Sequence, residues 1–112
     1  MEPQNPQPYD PEEPTRAEVD QMPGAVLLNF GTNWCGYCQA VEPPLAALLA
    51  NHPDVRHIKI EDGKGKPLGR SFGVKLWPTL VFLRDGKVQK QISRPDATAI
   101  GAGLEAITST GS

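Results

Sequence analysis

The feature of this sequence that most constrains its fold is an apolar run that ends shortly before two cysteines. Residues 25–30 are almost continuously apolar, which is typical of a strand buried on both faces of a sheet with helices packed against it. A helical pattern begins at Cys35, and Cys38 lies within its first turn. The sequence therefore predicts a central strand that points at two cysteines on the N-terminal turn of a helix.

Cys35 and Cys38 are the only cysteines of the chain, and two residues separate them. Two thiols at this spacing on one helical turn can close a small disulfide ring, and the unpaired backbone N–H groups of that turn favour a negative charge on the first sulfur. Two cysteines are too few for the disulfide scaffold of a small secreted protein. We interpret the pair as a dithiol/disulfide redox centre.

Length and composition indicate one ordinary globular domain. The chain has 112 residues, of which 38% are hydrophobic and 21% charged, and its formal net charge is −2. The charge is uneven, because residues 1–21 hold six acidic residues and one basic residue, whereas residues 22–112 hold seven acidic and ten basic residues. We expect a mildly basic domain that acts as a monomer and does not bind nucleic acid.

The sequence has no segment that resembles a membrane anchor or a signal peptide. No stretch approaches the roughly 18 to 20 apolar residues of a membrane span, and the N-terminus lacks both the basic and the apolar region of a signal. The expectation is a protein that is not bound to a membrane and is located in the cytoplasm. A periplasmic location remains open if a signal has been removed.

Proline content divides the chain into a leader and a domain. Residues 1–14 contain five of the twelve prolines among polar side chains, so they are expected to be disordered or extended and to contribute neither core nor chemistry. Residues 15–108 are predicted to form the domain. The last four residues, 109–112, are predicted to be a flexible tail.

Within the domain, the pattern predicts alternating helices and strands. Pro43 and Pro44 interrupt the long helix and predict a kink, and residues 85–86 form an Asp-Gly hairpin turn. The order predicts an α/β sandwich in which helices flank both faces of a central mixed β-sheet. We predict helices over residues 15–22, 35–51, 67–72 and 96–107, and strands over residues 25–30, 55–60, 79–83 and 87–92; Ala97, Ile100, Leu104 and Ile107 form the inner face of the last helix.

These elements resemble the thioredoxin family over residues 23–108. Residues 34–38, Trp-Cys-Gly-Tyr-Cys, follow a hydrophobic strand as they do in that family, and Pro43 stands where the family has its kink proline. Residues 75–80, Lys-Leu-Trp-Pro-Thr-Leu, resemble the loop before the third strand, and residues 85–87 resemble the hairpin turn. The resemblance implies a thioredoxin fold and a protein-disulfide oxidoreductase that works without a cofactor.

The resemblance also implies roles for individual residues. Cys35 would be the exposed attacking thiolate and Cys38 the more buried resolving thiol. The Trp77–Pro78 bond would be cis, with the Trp77 backbone beside the disulfide, where it would pair with an extended substrate. Partners would be protein or peptide disulfides and an unidentified reductase or oxidase. The expected substrate-binding residues are Trp34, Gly36, Tyr37, Trp77 and Pro78, although both tryptophans could instead be core aromatics.

Several residues depart from the usual thioredoxin pattern. Asn29 stands where thioredoxins carry a buried aspartate thought to help deprotonate the resolving cysteine, and an amide cannot accept that proton. We therefore expect a comparatively long-lived mixed disulfide. The pair Gly36 and Tyr37 resembles that of bacterial periplasmic disulfide isomerases, and Ser93 with Arg94 replaces a small turn near the substrate groove. Partner choice is expected to differ accordingly.

Two other function classes are compatible with parts of this sequence. Cys35, Cys38, His52 and His57 have the spacing of a two-cysteine, two-histidine zinc site. Against it, Pro53 lies between histidines that a zinc finger would carry on one helix. The other alternative is a thioredoxin-like binding or chaperone module that retains its cysteines without catalysis.

Overall fold

The computed structural model describes residues 7–108, and its helices and strands follow the predicted order. Each observed end lies within two residues of the predicted one. The second helix is continuous through Pro43 and Pro44; a kink at this point stays a prediction. No helix in the described range is long and apolar enough to cross a membrane. The elements are α1 (Arg16–Asp20), β1 (Ala25–Gly31), α2 (Gly36–Leu49), β2 (Arg56–Glu61), α3 (Pro67–Ser71), β3 (Thr79–Arg84), β4 (Lys87–Ser93) and α4 (Ala97–Thr108).

The four strands form one mixed sheet in the order β2-β1-β3-β4. Strand β1 pairs in parallel with β2 and antiparallel with β3, and β3 pairs antiparallel with β4. All seven residues of β1 are buried, because successive side chains enter the apolar clusters on opposite faces of the sheet. The predicted thioredoxin fold is confirmed. One cluster contains Leu27, Leu45, Phe82, Ile100 and Leu104, and the other contains Val19, Leu28, Phe30, Ile60 and Leu68.

The segment before α1 belongs to the fold, contrary to the expectation of an inert leader over residues 1–14. Tyr9 is only 4% exposed, and Asp10 forms a parallel bridge with Ile60 on the outer edge of β2. The segment covers a strand edge that would otherwise present unpaired backbone groups, and burial of the Tyr9 ring adds an apolar contribution. The remainder of the predicted leader, residues 1–6, and the predicted tail, residues 109–112, lie outside the described residues.

Helix α4 packs on the sheet through a glycine as well as through its predicted apolar face. Ile100, Leu104 and Ile107 are buried as predicted, but Ala97 is exposed because it begins the helix, away from the core. Gly103 is buried, and a Cβ at this position would lie 2.5 Å from the Phe82 ring. The absence of a side chain at residue 103 therefore allows α4 to approach β3 closely.

Two glycines of the same helix should respond in opposite ways to alanine. Gly103→Ala is expected to lower the free energy of unfolding by about 1–3 kcal/mol, because its methyl group meets the Phe82 ring. Gly101→Ala meets no atom within 4 Å and should raise it by about 0.5–1 kcal/mol through helix propensity. Urea unfolding of both variants measures the two changes. Changes of the same sign would contradict this description of the packing.

Candidate active site

The two cysteines lie where β1 gives way to α2. Cys35 is the N-cap of α2, and its Sγ accepts a hydrogen bond of 3.2 Å from the backbone N–H of Cys38. A sulfur thus takes the place of the side-chain oxygen that usually satisfies a free N–H group of the first helical turn. Cys35 is 8% exposed and Cys38 2% exposed, and both are free thiols. The prediction that Cys35 is exposed is therefore wrong, because its sulfur is tucked against the first turn of α2, although Cys38 is the more buried of the two as predicted. The structure therefore holds the pair together in reduced form.

The surroundings of Cys38 disfavour its ionisation. Burial raises the pKa of the Cys38 thiol to about 11, and its contact with Cys35 adds to the increase. The backbone of Thr32 and the hydroxyl of Tyr9 act in the opposite direction. Cys38 is consequently a protonated thiol near neutral pH and must lose this proton before it can act as a nucleophile.

Exposed apolar side chains surround the cysteine pair. Trp34 is 75% exposed, Tyr37 58% and Leu76 47%, values unusual for residues of this size. The Trp34 and Trp77 rings meet edge to face, with 5.7 Å between their centroids. Trp77 is half-buried, and its Nε1 donates a hydrogen bond of 2.9 Å to the Asp62 carboxylate. Trp34 is thus a surface residue, and the alternative that it is a core aromatic is wrong.

Arg94 covers the backbone at the edge of this surface. The Trp77–Pro78 peptide bond is cis, and Pro78 is buried. Arg94 donates from its Nε to the Trp77 carbonyl oxygen at 3.0 Å, and its guanidinium lies 3.8 Å from the centroid of the Tyr37 ring. The φ angle of Arg94 is 50°, in a region that favours glycine. The sequence marked Arg94 as a departure from the family, but these contacts could not be read from it.

Asn29 is buried, and its side-chain amide has a hydrogen-bond partner on each side. It is 1% exposed, and its Oδ1 accepts a hydrogen bond of 2.8 Å from the Tyr9 hydroxyl. Its Nδ2 lies 3.3 Å from Nε2 of His57. Burial, together with the charge of Lys59, lowers the pKa of His57 to about 4. His57 is therefore neutral at pH 7, and its Nε2 can accept the proton of the Asn29 amide.

The sequence interpretation missed a charged group next to Asn29. The ammonium of Lys59, a residue only 3% exposed, pairs with the Glu42 carboxylate and lies 4.4 Å from the centroid of the Tyr9 ring. Both charged residues line a cavity of about 470 Å³ that reaches Cys38. One signal was available, because Glu42 follows Cys38 by four residues and so shares its helix face. The position of Tyr9 had no comparable signal.

The structure does not assemble the zinc site considered from the sequence. The His52 side chain contacts the C-terminal end of α4, where its Nδ1 lies 3.4 Å from the Thr108 hydroxyl. The His57 side chain, on β2, instead contacts Asn29 of β1. Within residues 7–108, no three histidine, cysteine, aspartate or glutamate residues are grouped so as to hold a metal ion. The two-cysteine, two-histidine hypothesis is wrong, because its ligands do not converge on Cys35 and Cys38.

A mixed sheet between helices, with a free dithiol on the first turn after its central strand, is the arrangement of the thioredoxin-like proteins. The thioredoxin family model matches residues 11–106, so the chain belongs to the thioredoxin family. It is similar to the structure of thioredoxin 2 from Pseudomonas aeruginosa PAO1 in its reduced form, with 48% identity and a TM-score of 0.81, covering 90% of this chain and 94% of that one.

Curated relatives agree with this assignment. A thioredoxin of Chlamydia muridarum is 37% identical over 79 residues, which are 69% of this chain and 76% of the relative. Thioredoxin F1, chloroplastic, of Arabidopsis thaliana is 31% identical over 78% of this chain and 49% of its own length. The chain thus spans about half the length of the chloroplast relatives that it matches.

Proposed function

We propose that this protein is a thiol–disulfide oxidoreductase that exchanges disulfides with protein substrates through Cys35 and Cys38. The observation that carries the proposal is the free Cys35 sulfur at the N-cap of α2, which receives the Cys38 N–H and lies among exposed apolar side chains. Helix N-termini carry partial positive charge and are common positions for reactive cysteines, whose thiolate is the form that attacks a disulfide.

The exchange proceeds in two steps. The Cys35 thiolate attacks one sulfur of the substrate disulfide, so that a bond to Cys35 forms, the substrate bond breaks, and the departing sulfur takes up a proton. Cys38 then loses its proton and attacks the Cys35 sulfur. The Cys35–Cys38 bond forms, the second substrate sulfur leaves and is protonated, and two electrons have passed to the substrate. Oxidation of a substrate dithiol follows the same steps in reverse.

The surface around Cys35 supports protein disulfides as substrates. Trp34, Tyr37 and Leu76 provide apolar contact area for a polypeptide, and Trp77 supplies backbone groups next to them. Because the Arg94 Nε donates to the Trp77 carbonyl oxygen, a substrate N–H that pairs there must share this oxygen with Arg94 or displace it. Gly36 is exposed at the same turn and leaves access to the Cys35 sulfur. Substrate recognition through Trp34, Gly36, Tyr37, Trp77 and Pro78 is part of the proposal.

The proposal includes a partner that renews the redox state of the cysteine pair. Each turnover leaves Cys35 and Cys38 oxidised, so a reductase must return electrons to them, or an oxidase must remove electrons if the exchange runs in reverse. No cofactor enters either step, because the two cysteine sulfurs themselves release and accept the two electrons. A monomeric protein in the cytoplasm, expected from the sequence, belongs to the same proposal.

Turnover by the wild-type protein tests the proposal against a non-catalytic binding module. The reduced protein is expected to accelerate cleavage of an insulin-type disulfide well beyond the rate with dithiothreitol alone. The reduction potential of the Cys35/Cys38 couple then distinguishes a reductant from an oxidant or isomerase, by comparison with the redox poise of a compartment. Binding of the substrate without acceleration would favour the binding module.

Asn29→Asp should change the second step of the exchange. A carboxylate at this position can accept the Cys38 proton, and such general-base assistance is typically worth about 10²–10⁴-fold, so the mixed disulfide should decay faster near neutral pH. The variant should also be less stable, because a buried ionisable group is costly. Stopped-flow measurement of the decay between about pH 6 and 9 provides the comparison. Equal decay in both proteins would place residue 29 outside the proton path.

A further inference from the structure

The N-terminal segment carries Tyr9 to the interior side of the active site. It is fixed to β2 by two backbone hydrogen bonds, of 3.1 Å from Asp10 N–H to the Lys59 carbonyl and of 2.9 Å from Glu61 N–H to the Asp10 carbonyl. The Tyr9 N–H donates at 2.8 Å to the side chain of Asn33, just before the cysteine motif. The segment is thus tied to both the sheet edge and the active-site loop, and the Tyr9 ring lies between them.

The Tyr9 hydroxyl and the Cys38 sulfur face the same point above Gly31. A Cβ on Gly31 would lie 2.5 Å from the Cys38 Sγ and 2.8 Å from the Tyr9 hydroxyl oxygen, so the two atoms are close neighbours. Tyr9 and Cys38 also belong to one small buried cluster with Cys35. Glycine at residue 31 leaves the space that both groups need.

The direction of the Tyr9 O–H bond depends on Asn29. In the reduced protein the hydroxyl donates to the Asn29 Oδ1. The neutral His57, with its proton on Nδ1, accepts from the Asn29 Nδ2 and thereby keeps Oδ1 turned toward Tyr9. A hydroxyl can rotate its single hydrogen between two nearby acceptors, so the same O–H can point to the amide oxygen or to the Cys38 sulfur.

The charged groups near the Cys38 sulfur are engaged elsewhere, so its donors are the Thr32 backbone and the Tyr9 hydroxyl, and of these two the hydroxyl can rotate. Glu42 lies one helical turn beyond Cys38, and Lys59 on β2 is engaged by the Glu42 carboxylate. Burial, followed by the proximity of Cys38, raises the pKa of Tyr9 above its ordinary value, so the phenol keeps its proton at neutral pH. The cavity beside Cys38 is also lined by Thr32, whose buried Oγ1 has no hydrogen-bond partner within residues 7–108. Polar side chains in the wall of this cavity, among them Thr32, Glu42 and Lys59, suit water that carries a proton outward.

We propose that Tyr9 stabilises the Cys38 thiolate during the second step of the exchange, by turning its O–H from the Asn29 amide to the sulfur. The Cys38 proton leaves through the cavity to water. The thiolate, held by the Tyr9 hydrogen bond, attacks the Cys35 sulfur; the Cys35–Cys38 bond forms as the bond from Cys35 to the substrate breaks, and the departing thiolate takes a proton from water. This inference rests on the proposed function, because only an exchange reaction requires the Cys38 thiolate.

Tyr9→Phe removes the hydroxyl and keeps the ring, so the fold should persist. The full-length reduced protein is mixed in stopped flow with an aromatic disulfide whose released thiol absorbs visible light. One coloured thiol is released when Cys35 attacks and a second when Cys38 resolves, so the two steps appear as separate phases. In Tyr9→Phe the second phase should be about tenfold slower near neutral pH, as expected for the loss of a hydrogen bond to a charged group. The pH at which the rate of this phase is half-maximal should be about one unit higher than in the wild type. The first phase should be unchanged.

Asn33→Ala is the matched control for an effect of anchoring alone. This variant removes the acceptor of the Tyr9 N–H but keeps the Tyr9 hydroxyl. The pH midpoint of its second-phase rate should therefore equal that of the wild type. A second phase in Tyr9→Phe with the wild-type rate and midpoint would overturn the inference, and so would an equal midpoint shift in Asn33→Ala. Failure of the wild type to release the first coloured thiol would instead overturn the proposed function.

Discussion

Replacement of Cys35 by serine is expected to reduce disulfide turnover to the rate of buffer alone. A serine hydroxyl does not attack a disulfide at neutral pH, and Cys38 is buried and held as a protonated thiol, so it cannot replace the missing nucleophile. Stability should not suffer, because serine is a preferred N-cap residue and can accept the same N–H. Insulin-type turnover and thermal melting of Cys35→Ser measure the two quantities.

Cys38→Ser is the informative companion to that variant. Cys35 keeps its sulfur and its position, so a single attack should proceed and leave a mixed disulfide that does not resolve. Sustained turnover should therefore be lost although the first step remains. Turnover by either serine variant at more than a small fraction of the wild-type rate would contradict the assigned roles.

Acidification should destabilise the protein through His57. The pKa of this imidazole is 6.5 in its ordinary state and about 4 in the folded protein, because it is buried and lies near Lys59. Between these values the unfolded chain binds the proton and the folded protein does not, so the free energy of unfolding rises with pH. The stabilisation is complete above about pH 6.5 and is lost as the pH falls toward 4. The free energy of unfolding is expected to fall by about 3 kcal/mol over this range.

Urea unfolding near pH 7 and near pH 4 measures this contribution. From pH 7 to pH 4 the free energy of unfolding should fall by about 3 kcal/mol less in His57→Gln than in the wild type, because no imidazole remains to be protonated at that position. His52→Gln serves as the matched control, since His52 lies away from Asn29, at the end of α4, and should retain the wild-type dependence. The same acid dependence in wild type and His57→Gln would show that His57 is not the responsible group.

The fold and the cysteine pair could be predicted because their signals are local. The buried strand is an almost continuous apolar run, the hairpin turn is an Asp-Gly pair, and Thr15 with Glu18 forms a capping box at the start of α1, a pattern of residues three apart. The spacing of Cys35 and Cys38 alone places both on one helical turn. Such features depend on neighbouring residues, and neighbouring residues are what a sequence pattern records.

The surroundings of Cys38 could not be predicted, because they are assembled from distant parts of the chain. Tyr9 meets Asn29 across 20 residues, and Lys59 meets Glu42 across 17. Proline-rich composition describes the average behaviour of residues 1–14, and it carries no information about one aromatic ring that finds a buried site at a sheet edge. The role of Gly103 was missed for the same reason, since helix propensity does not record the position of a ring on another element.

The most direct test of the account is to find which sulfur of the reduced wild-type protein reacts first. A substoichiometric amount of iodoacetamide is added near pH 7, and the labelled peptide is identified by mass spectrometry. The account predicts that Cys35 carries the label, because its sulfur caps the N-terminus of α2, whereas Cys38 is only 2% exposed and its pKa is raised to about 11. Preferential labelling of Cys38 would contradict it.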